Sequence, residues 1–89
     1  MKLPLKTRIL KYAIDLDKDF VVDDVMSALA AEYDGERIFS RKQVEEYVDS
    51  YLGVGFLEAE STEFNAEGEL VVHCKVTDYG KSRKKYLKQ

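Results

Sequence analysis

The sequence contains few of the residues from which many functional sites are built. It has one cysteine, one histidine, one proline and no tryptophan among 89 residues. A single cysteine excludes an internal disulfide framework and fits a reducing compartment, so we expect a cytoplasmic protein. No apolar run approaches the ~20 residues that cross a bilayer. The basic N-terminus lacks the long apolar run and small-residue cleavage site of a signal peptide. We therefore expect no membrane partner.

The groupings of side chains that catalysis or metal binding needs are also missing. His73 and Cys74 are adjacent, so on a strand they point to opposite faces and form neither a metal site nor a nucleophilic pair. The aspartates at 15, 17 and 19 have EF-hand spacing, but Phe20 and Met26 stand where that loop needs Gly and Glu. No glycine-rich phosphate loop is present. We predict a protein that is not an enzyme, with no cofactor, no metal and no small-molecule substrate.

Charge is plentiful, and it is arranged in blocks. The formal net charge is −3, yet residues 17–36 hold seven acidic residues against one lysine. Residues 54–72 hold five glutamates and no lysine or arginine, whereas five of the last nine residues are basic. Residues 1–16 carry four basic residues against one aspartate. A local basic patch is what phosphate binding requires, so the acidic balance of the whole chain does not exclude a nucleic-acid partner.

The spacing of apolar residues predicts three helices in the first part of the chain, over 4–16, 23–33 and 41–52. Ser40 to Gln43 reads "SRKQ", which matches a capping box. The expected start and stop signals of the three helices are Pro4, Asp23, Gly35, Ser40 and Gly53.

After the third helix the apolar period changes to two. Residues 55–64 read as a strand, and 70–77 alternate as a return strand after a glycine-containing turn, which predicts a hairpin. The short β-prone stretch at 20–22 is typical of a strand stub. Thr77 is placed to cap a short fourth helix. Phe64, beside the turn, is either an exposed aromatic or a packing residue at the tip of the hairpin, and the sequence leaves both interpretations open.

Two stretches carry a resemblance to a known superfamily. "SRKQVEEYVDSYLGVGFLEAE" resembles the passage from the third helix into the wing of winged-helix domains. "VTDYGKSRKKYL" is similar to the helix that follows the wing in many winged-helix regulators. The resemblance implies one α+β domain over 1–89, with a three-helix core, a C-terminal β-hairpin wing and a short closing helix.

The resemblance also implies a DNA-binding protein, dimeric and regulatory, whose third helix enters the major groove. At the start of that helix Arg41, Lys42 and Gln43 would meet base edges. The expected phosphate contacts at the two ends of the chain are Lys6, Arg8, Lys81, Lys84, Lys85 and Lys88.

The charge of the wing supports a second interpretation. Glu63, Glu67 and Glu69 lie near its turn, and a carboxylate close to a phosphate is repelled. Arg41 and Lys42 are equally accounted for as solvated residues at a helix start. The alternative is therefore a protein-interaction or dimerisation module that binds no nucleic acid, with the acidic wing and Phe64 as its contact surface. The sequence leaves both interpretations open.

Overall fold

The first part of the chain folds into three helices that pack on one another. The computed structural model describes residues 3–86, and for Tyr86 the backbone alone, so Leu87 and Lys88 lie outside the described residues. Helix α1 spans Leu5–Leu16, α2 spans Val22–Tyr33 and α3 spans Arg41–Val54. Each helix buries one apolar stripe, as the 3.6-residue period predicts. The main buried residues are Ile9 and Ala13 of α1, Val25 and Leu29 of α2, and Val44 and Val48 of α3.

Two tyrosines fix the start of α1 between the other two helices. The Tyr33 hydroxyl, at the end of α2, donates to the carbonyl of Leu3 at 2.5 Å. The Tyr51 hydroxyl of α3 donates to the carbonyl of Lys6 at 2.6 Å. Burial raises the pKa of Tyr51 to about 12, so this hydroxyl keeps the proton that it donates. The polar ends of the two core tyrosines are thereby satisfied without breaking the apolar core.

The second part of the chain begins with an antiparallel hairpin. Strand β1 spans Leu57–Phe64 and β2 spans Leu70–Val76, with Leu57 opposite Val76 and Phe64 opposite Leu70. The register shifts by one residue between Ala59 and Ser61, where Glu60 forms a β-bulge. In the turn, the side-chain oxygen of Asn65 accepts the N–H groups of residues 67 and 69 at 3.0 and 2.9 Å.

One β-bridge joins the hairpin to the helices. Phe20, in the connection between α1 and α2, exchanges two backbone hydrogen bonds of 2.8 Å with Cys74 of β2. Both residues are buried, and the ring of Phe20 meets Tyr12 edge to face with centroids 5.6 Å apart. Of the strand stub predicted at 20–22, Phe20 alone forms a β-bridge, and Val22 is already the first residue of α2. This bridge satisfies the need of a two-stranded hairpin for outside support.

A single turn of helix closes the described chain. Helix α4 spans Asp78–Lys81, and a 3₁₀ turn follows at Lys84–Tyr86. The Thr77 side chain accepts the Gly80 N–H at 2.9 Å, so the predicted Thr77 cap is confirmed. Its hydroxyl also lies 2.6 Å from the carbonyl oxygen of Gly55, to which it donates. A side-chain carbon on Gly80 would overlap the carbonyl oxygen of Phe56. The fourth helix therefore packs directly on the backbone at the base of the hairpin.

Two of the predicted helix ends are wrong, for local reasons. Asp23 is not the N-cap of α2, which starts one residue earlier with Val21 at the cap position. Asp24 stabilises that start instead, because its carboxylate accepts the Val21 N–H at 3.0 Å. Gly53 does not end α3 either. The helix continues to Val54, and Gly55 caps it with a φ of 87°, a left-handed conformation that glycine adopts without strain.

The architecture of residues 3–86 is thus α+β, with four helices and a two-stranded antiparallel sheet. Its core lies between the apolar sides of α1, α2 and α3 and the inner face of the hairpin base, where Leu57 and Val76 are buried. Among residues 3–86, no helix has both the length and the hydropathy of a membrane span.

Candidate interaction surfaces

The basic residues expected to contact DNA lie at separate junctions of the fold. On α1, the Arg8 guanidinium binds the carboxylate of Glu32 on α2 through two nitrogens, with the shortest contacts at 3.0 Å. Such a two-point pair fixes the orientation of an arginine side chain. Arg8 is directed at a carboxylate of its own chain, and a phosphate would have to compete with that partner.

At the start of α3, too, a basic residue is paired with carboxylates of its own chain. Arg41 forms an ion pair with Asp23 of α2, and its other terminal nitrogen is 3.6 Å from Glu45. Lys42 is exposed. Gln43 is half-buried, and its backbone N–H donates to the hydroxyl oxygen of Ser40 at 3.2 Å. Of the three residues predicted to read base edges, Lys42 is the one that the helix presents to solvent without an ion-pair partner among residues 3–86.

The closing segment is joined to the far end of α1. Lys81 of α4 lies 2.8 Å from the carboxylate of Asp17, the residue that follows α1. This hydrogen-bonded pair lowers the pKa of Asp17 and raises the pKa of Lys81, so both side chains are held in their charged forms. Lys84 and Lys85 are exposed in the 3₁₀ turn. Lys88 lies outside the described residues.

Lys6 lies against aromatic rings. Its ammonium group is 5.9 Å from the ring centre of Tyr47 and 5.6 Å from that of Tyr51, both on α3. Cation–π contacts of this length hold a lysine along a surface without neutralising its charge. The structure thus brings Lys6 beside α3, but toward the half of the helix that lies away from Arg41 and Lys42. DNA contact by these residues stays a prediction.

A groove runs between α3, the start of α2 and the hairpin. Its volume is about 790 Å³, within the ~300–1,000 Å³ usual for ligand sites. Val48 and Leu52 of α3 form one wall, and Leu70 and Val72 of β2 form the opposite wall. Ala66, Glu67 and Glu69 of the hairpin turn also line it, as do Val22 and Asp23 at the start of α2.

The polar groups around this groove are nearly all acidic. Five carboxylates line it, and Arg41 is its single basic residue. The carboxylates are Asp23, Glu45, Asp49, Glu67 and Glu69. Arg41 already pairs with two of them, and Asp49 and Glu67 have no ion-pair partner among residues 3–86. The groove therefore combines apolar side chains from α3 and β2 with a strongly negative border.

The apolar inner face of the hairpin extends past the core. Cross-strand neighbours point to the same face, so Phe64 and Leu70 share the side that carries Cys74 and Val76 closer to the base. Near the base that side is buried, but at the tip Phe64 is 72% exposed and Leu70 is 57% exposed. Of the two interpretations of Phe64, an exposed aromatic or a packing residue, the structure shows the exposed one. Together with the groove, Phe64 and Leu70 form an apolar surface that no described residue covers.

The outer face of the hairpin carries the single histidine. His73 lies between two carboxylates, with Nε2 2.8 Å from Glu63 and Nδ1 3.2 Å from Asp19. These hydrogen bonds, that to Glu63 being the stronger, raise the pKa of His73 above 6.5. The cluster joins the hairpin to the connection after α1. Among residues 3–86 no group of three or more potential ligands is arranged to hold a metal ion.

Cys74 is a packing residue. It is 2% exposed, and burial raises the pKa of its thiol to about 11. A thiol of that pKa carries almost no thiolate near neutral pH and is a poor nucleophile.

Comparison with known proteins adds no relative. No family model, curated protein or solved structure matches this chain. The surfaces described above are therefore the basis for proposing a function.

The sequence pointed to the acidic hairpin and to Phe64, but not to the groove. The acidic residues of the groove come from three segments of the chain. Asp23 lies on α2, Glu45 and Asp49 lie on α3, and Glu67 and Glu69 lie on the hairpin turn. The available signal was the alternation in β2, which extends to Leu70 although the core ends sooner. An apolar strand face longer than the body that covers it indicates an open surface.

Proposed function

We propose that this protein is a non-enzymatic interaction module with a winged-helix architecture, and that it binds another protein through the groove between α3 and the hairpin. The observation that carries the proposal is the pairing of uncovered apolar side chains with an acidic border. Exposed apolar surface rimmed by polar groups is typical of protein interaction sites.

The winged-helix assignment draws support from the order of the elements. Three helices precede a two-stranded hairpin, and a closing helical turn follows it. The bridge between Phe20 and Cys74 adds one backbone pair beside the wing. In such a domain α3 and the wing form the usual contact surface for DNA. Here that surface carries five carboxylates, which favours a partner other than a phosphate backbone.

A matched pair of charge variants tests the proposal. The groove variant combines Asp49→Lys with Glu67→Lys, and the control variant combines Asp34→Lys with Glu46→Lys. Asp34 and Glu46 are exposed residues that do not line the groove. The two variants have the same net charge, so a difference between them reports position and not total charge.

Each form of the protein is immobilised and the proteins retained from a lysate of its own cells are quantified. The proposal expects polypeptides that bind the wild type and the control variant but not the groove variant. Equal retention by all three forms would refute it. Circular dichroism and thermal unfolding of each variant separate a lost contact from a lost fold.

DNA binding is the second candidate, and Lys42 is the observation that favours it. This residue is exposed in the first turn of α3, the end of the helix that reads bases in helix-turn-helix proteins. Fluorescence anisotropy with a random duplex at low salt tests it. Binding tighter than ~10⁻⁴ M that weakens in Lys42→Gln and Lys84→Gln would support DNA as the partner. Without any anisotropy change at that concentration, this candidate is excluded.

A further inference from the structure

The outer edge of β2 holds an incomplete β-ladder. In an antiparallel strand, successive residues turn their N–H and C=O groups to opposite edges. Cys74 gives both groups to Phe20, so its backbone faces away from β1. By the same alternation Val72 and Leu70, two and four residues earlier, also present their backbone groups to this outer edge.

Nothing in the described chain occupies that edge beyond Phe20. The next position along it would fall to Val22, but α2 starts there and the backbone turns away. Apart from the Cys74 thiol, 3.9 Å from the carbonyl oxygen of Val72, these outward groups have no partner among residues 3–86. The acidic groove lies against these two residues.

The two edges of the hairpin differ in how they resist pairing. Glutamates and a β-bulge, devices that keep edge strands from joining other chains, are present on β1 at Glu58, Glu60 and Glu63. On β2 the open section has the apolar residues Leu70, Val71 and Val72 and no charge. The unprotected edge is thus the one beside the groove.

We propose that the groove takes an extended, basic segment of a partner protein, which continues the ladder begun by Phe20 and pairs with Val72 and Leu70. The inference rests on the proposed function and specifies the partner of the same site. From Cys74 to Leu70 the edge measures ~14 Å at ~3.4 Å per residue, which is room for three to five residues of the added strand.

The charge of the groove decides the composition of the segment. Its central apolar side chains lie on the same face as Leu70 and Val72, above Val48 and Leu52. Lysine or arginine at its two ends meets Asp23 and Glu45 at one end and the turn glutamates at the other. A second copy of the hairpin pairing edge to edge would instead bring two acidic groups together. We therefore assign the site to a basic segment and not to the hairpin of a second copy.

A synthetic peptide with the sequence Lys-Lys-Val-Thr-Val-Lys-Lys, blocked at both ends, is the probe. Amide hydrogen exchange of the full chain is followed by NMR with and without the peptide. We expect the Leu70 and Val72 amides to exchange at least tenfold more slowly in its presence. The Val71 amide, which already faces β1, serves as the internal reference and keeps its rate.

Two methylated peptides test the pairing directly while the protein is unchanged. A residue opposite Leu70 or Val72 turns its own N–H toward β2, as Phe20 does opposite Cys74. N-methylation of both valines should therefore abolish binding, whereas N-methylation of the threonine should leave it intact. Equal binding of the two methylated peptides would overturn the pairing.

Charge provides an independent control. Replacing the four lysines of the peptide by glutamates should remove binding, and added salt should weaken binding of the lysine peptide. The neutral variant Asp49→Asn with Glu67→Gln should weaken it by roughly tenfold, and Asp34→Asn with Glu46→Gln should not.

The results distinguish a failure of the strand-pairing inference from a failure of the proposed function. If the lysine peptide leaves the Leu70 and Val72 amides unprotected while cellular partners still depend on the groove, the strand-pairing inference is wrong and the proposed function stands. If the groove variant also retains the same cellular partners as the control, both are wrong. A concentration-dependent dimer that protects these amides without peptide would assign the edge to self-association and overturn the inference.

Discussion

Replacing Gly80 or Gly53 by alanine should change the free energy of unfolding in opposite directions. Both are replaced by alanine, and both lie in helices, Gly80 in α4 and Gly53 in α3. Intrinsic helix preference alone favours alanine by ~1 kcal/mol at either position. The surroundings of the two glycines differ, and that difference should decide the sign.

At Gly53 a new side-chain carbon would have no neighbour within 4 Å. The helix preference of alanine over glycine should therefore act without opposition. Gly53→Ala should stabilise the protein by ~0.5–1 kcal/mol. At Gly80 the same carbon would overlap the carbonyl oxygen of Phe56 and lie 2.8 Å from a methyl group of Val76. That carbonyl cannot move freely, because it accepts the Thr77 N–H at 2.9 Å.

Relieving the overlap requires α4 to move off the hairpin. Overpacking of this kind costs ~1–3 kcal/mol or more, which exceeds the ~1 kcal/mol gained in helix preference. Gly80→Ala should thus destabilise the protein by ~1–2 kcal/mol. In a domain of this size each kcal/mol shifts the melting temperature by ~4–8 °C, so the two variants should melt on opposite sides of the wild type.

Urea unfolding followed by circular dichroism at 222 nm measures both free energies, with thermal unfolding as a second observable. A stabilised Gly80→Ala would refute the close packing of α4 on Phe56. A destabilised Gly53→Ala would show that α3 does not continue through this residue to Val54.

Three further predictions concern His73, Thr77 and Cys74. The raised pKa of His73 means that its contribution to stability is complete below pH 6.5 and is lost as pH rises through the folded-state pKa. The difference in unfolding free energy between wild type and His73→Gln should accordingly shrink as pH rises above 6.5, and a constant difference would argue against the cluster with Asp19 and Glu63. Thr77→Ala should cost ~1–2 kcal/mol in urea unfolding because it removes a helix cap, whereas Thr77→Ser keeps the hydroxyl and should match the wild type. With a thiol pKa of about 11, native Cys74 should react with iodoacetamide at pH 8 roughly 100-fold more slowly than in denaturing urea; similar rates would contradict its burial.

The helices and the return strand were predictable from sequence because each depends on a local period. Val44 and Val48 repeat at helical spacing, and Cys74 and Val76 repeat at strand spacing, so the buried side of each element is visible before folding. The cap at Ser40 was equally local, since its hydroxyl and the N–H that it binds are three residues apart.

The candidate surfaces were less predictable because they join residues distant in sequence. The pair between Arg8 and Glu32 spans 24 residues, and the bond between His73 and Asp19 spans 54. No period reveals which basic residue will meet which carboxylate. The helix ends at Asp23 and Gly53 were misassigned for a related reason. More than one suitable residue lies near each end, and packing decides which of them the helix uses.

The bulge at Glu60 shifts the inward-facing positions of β1 from odd to even residue numbers. Before it the inward positions are 57 and 59, and after it they are 62 and 64, as their partners in β2 require. If β1 paired without the bulge, with Glu60 opposite His73, the base of the hairpin would be unaltered but the two faces beyond it would be exchanged. Glu63 would then stand opposite Leu70 on the inner face, and Phe64 would pass to the outer one. The bulge thus determines whether the tip of the hairpin offers an aromatic ring or a carboxylate beside the groove, whereas deleting Glu60 would remove the extra residue and the bulge together and leave Phe64 opposite Leu70.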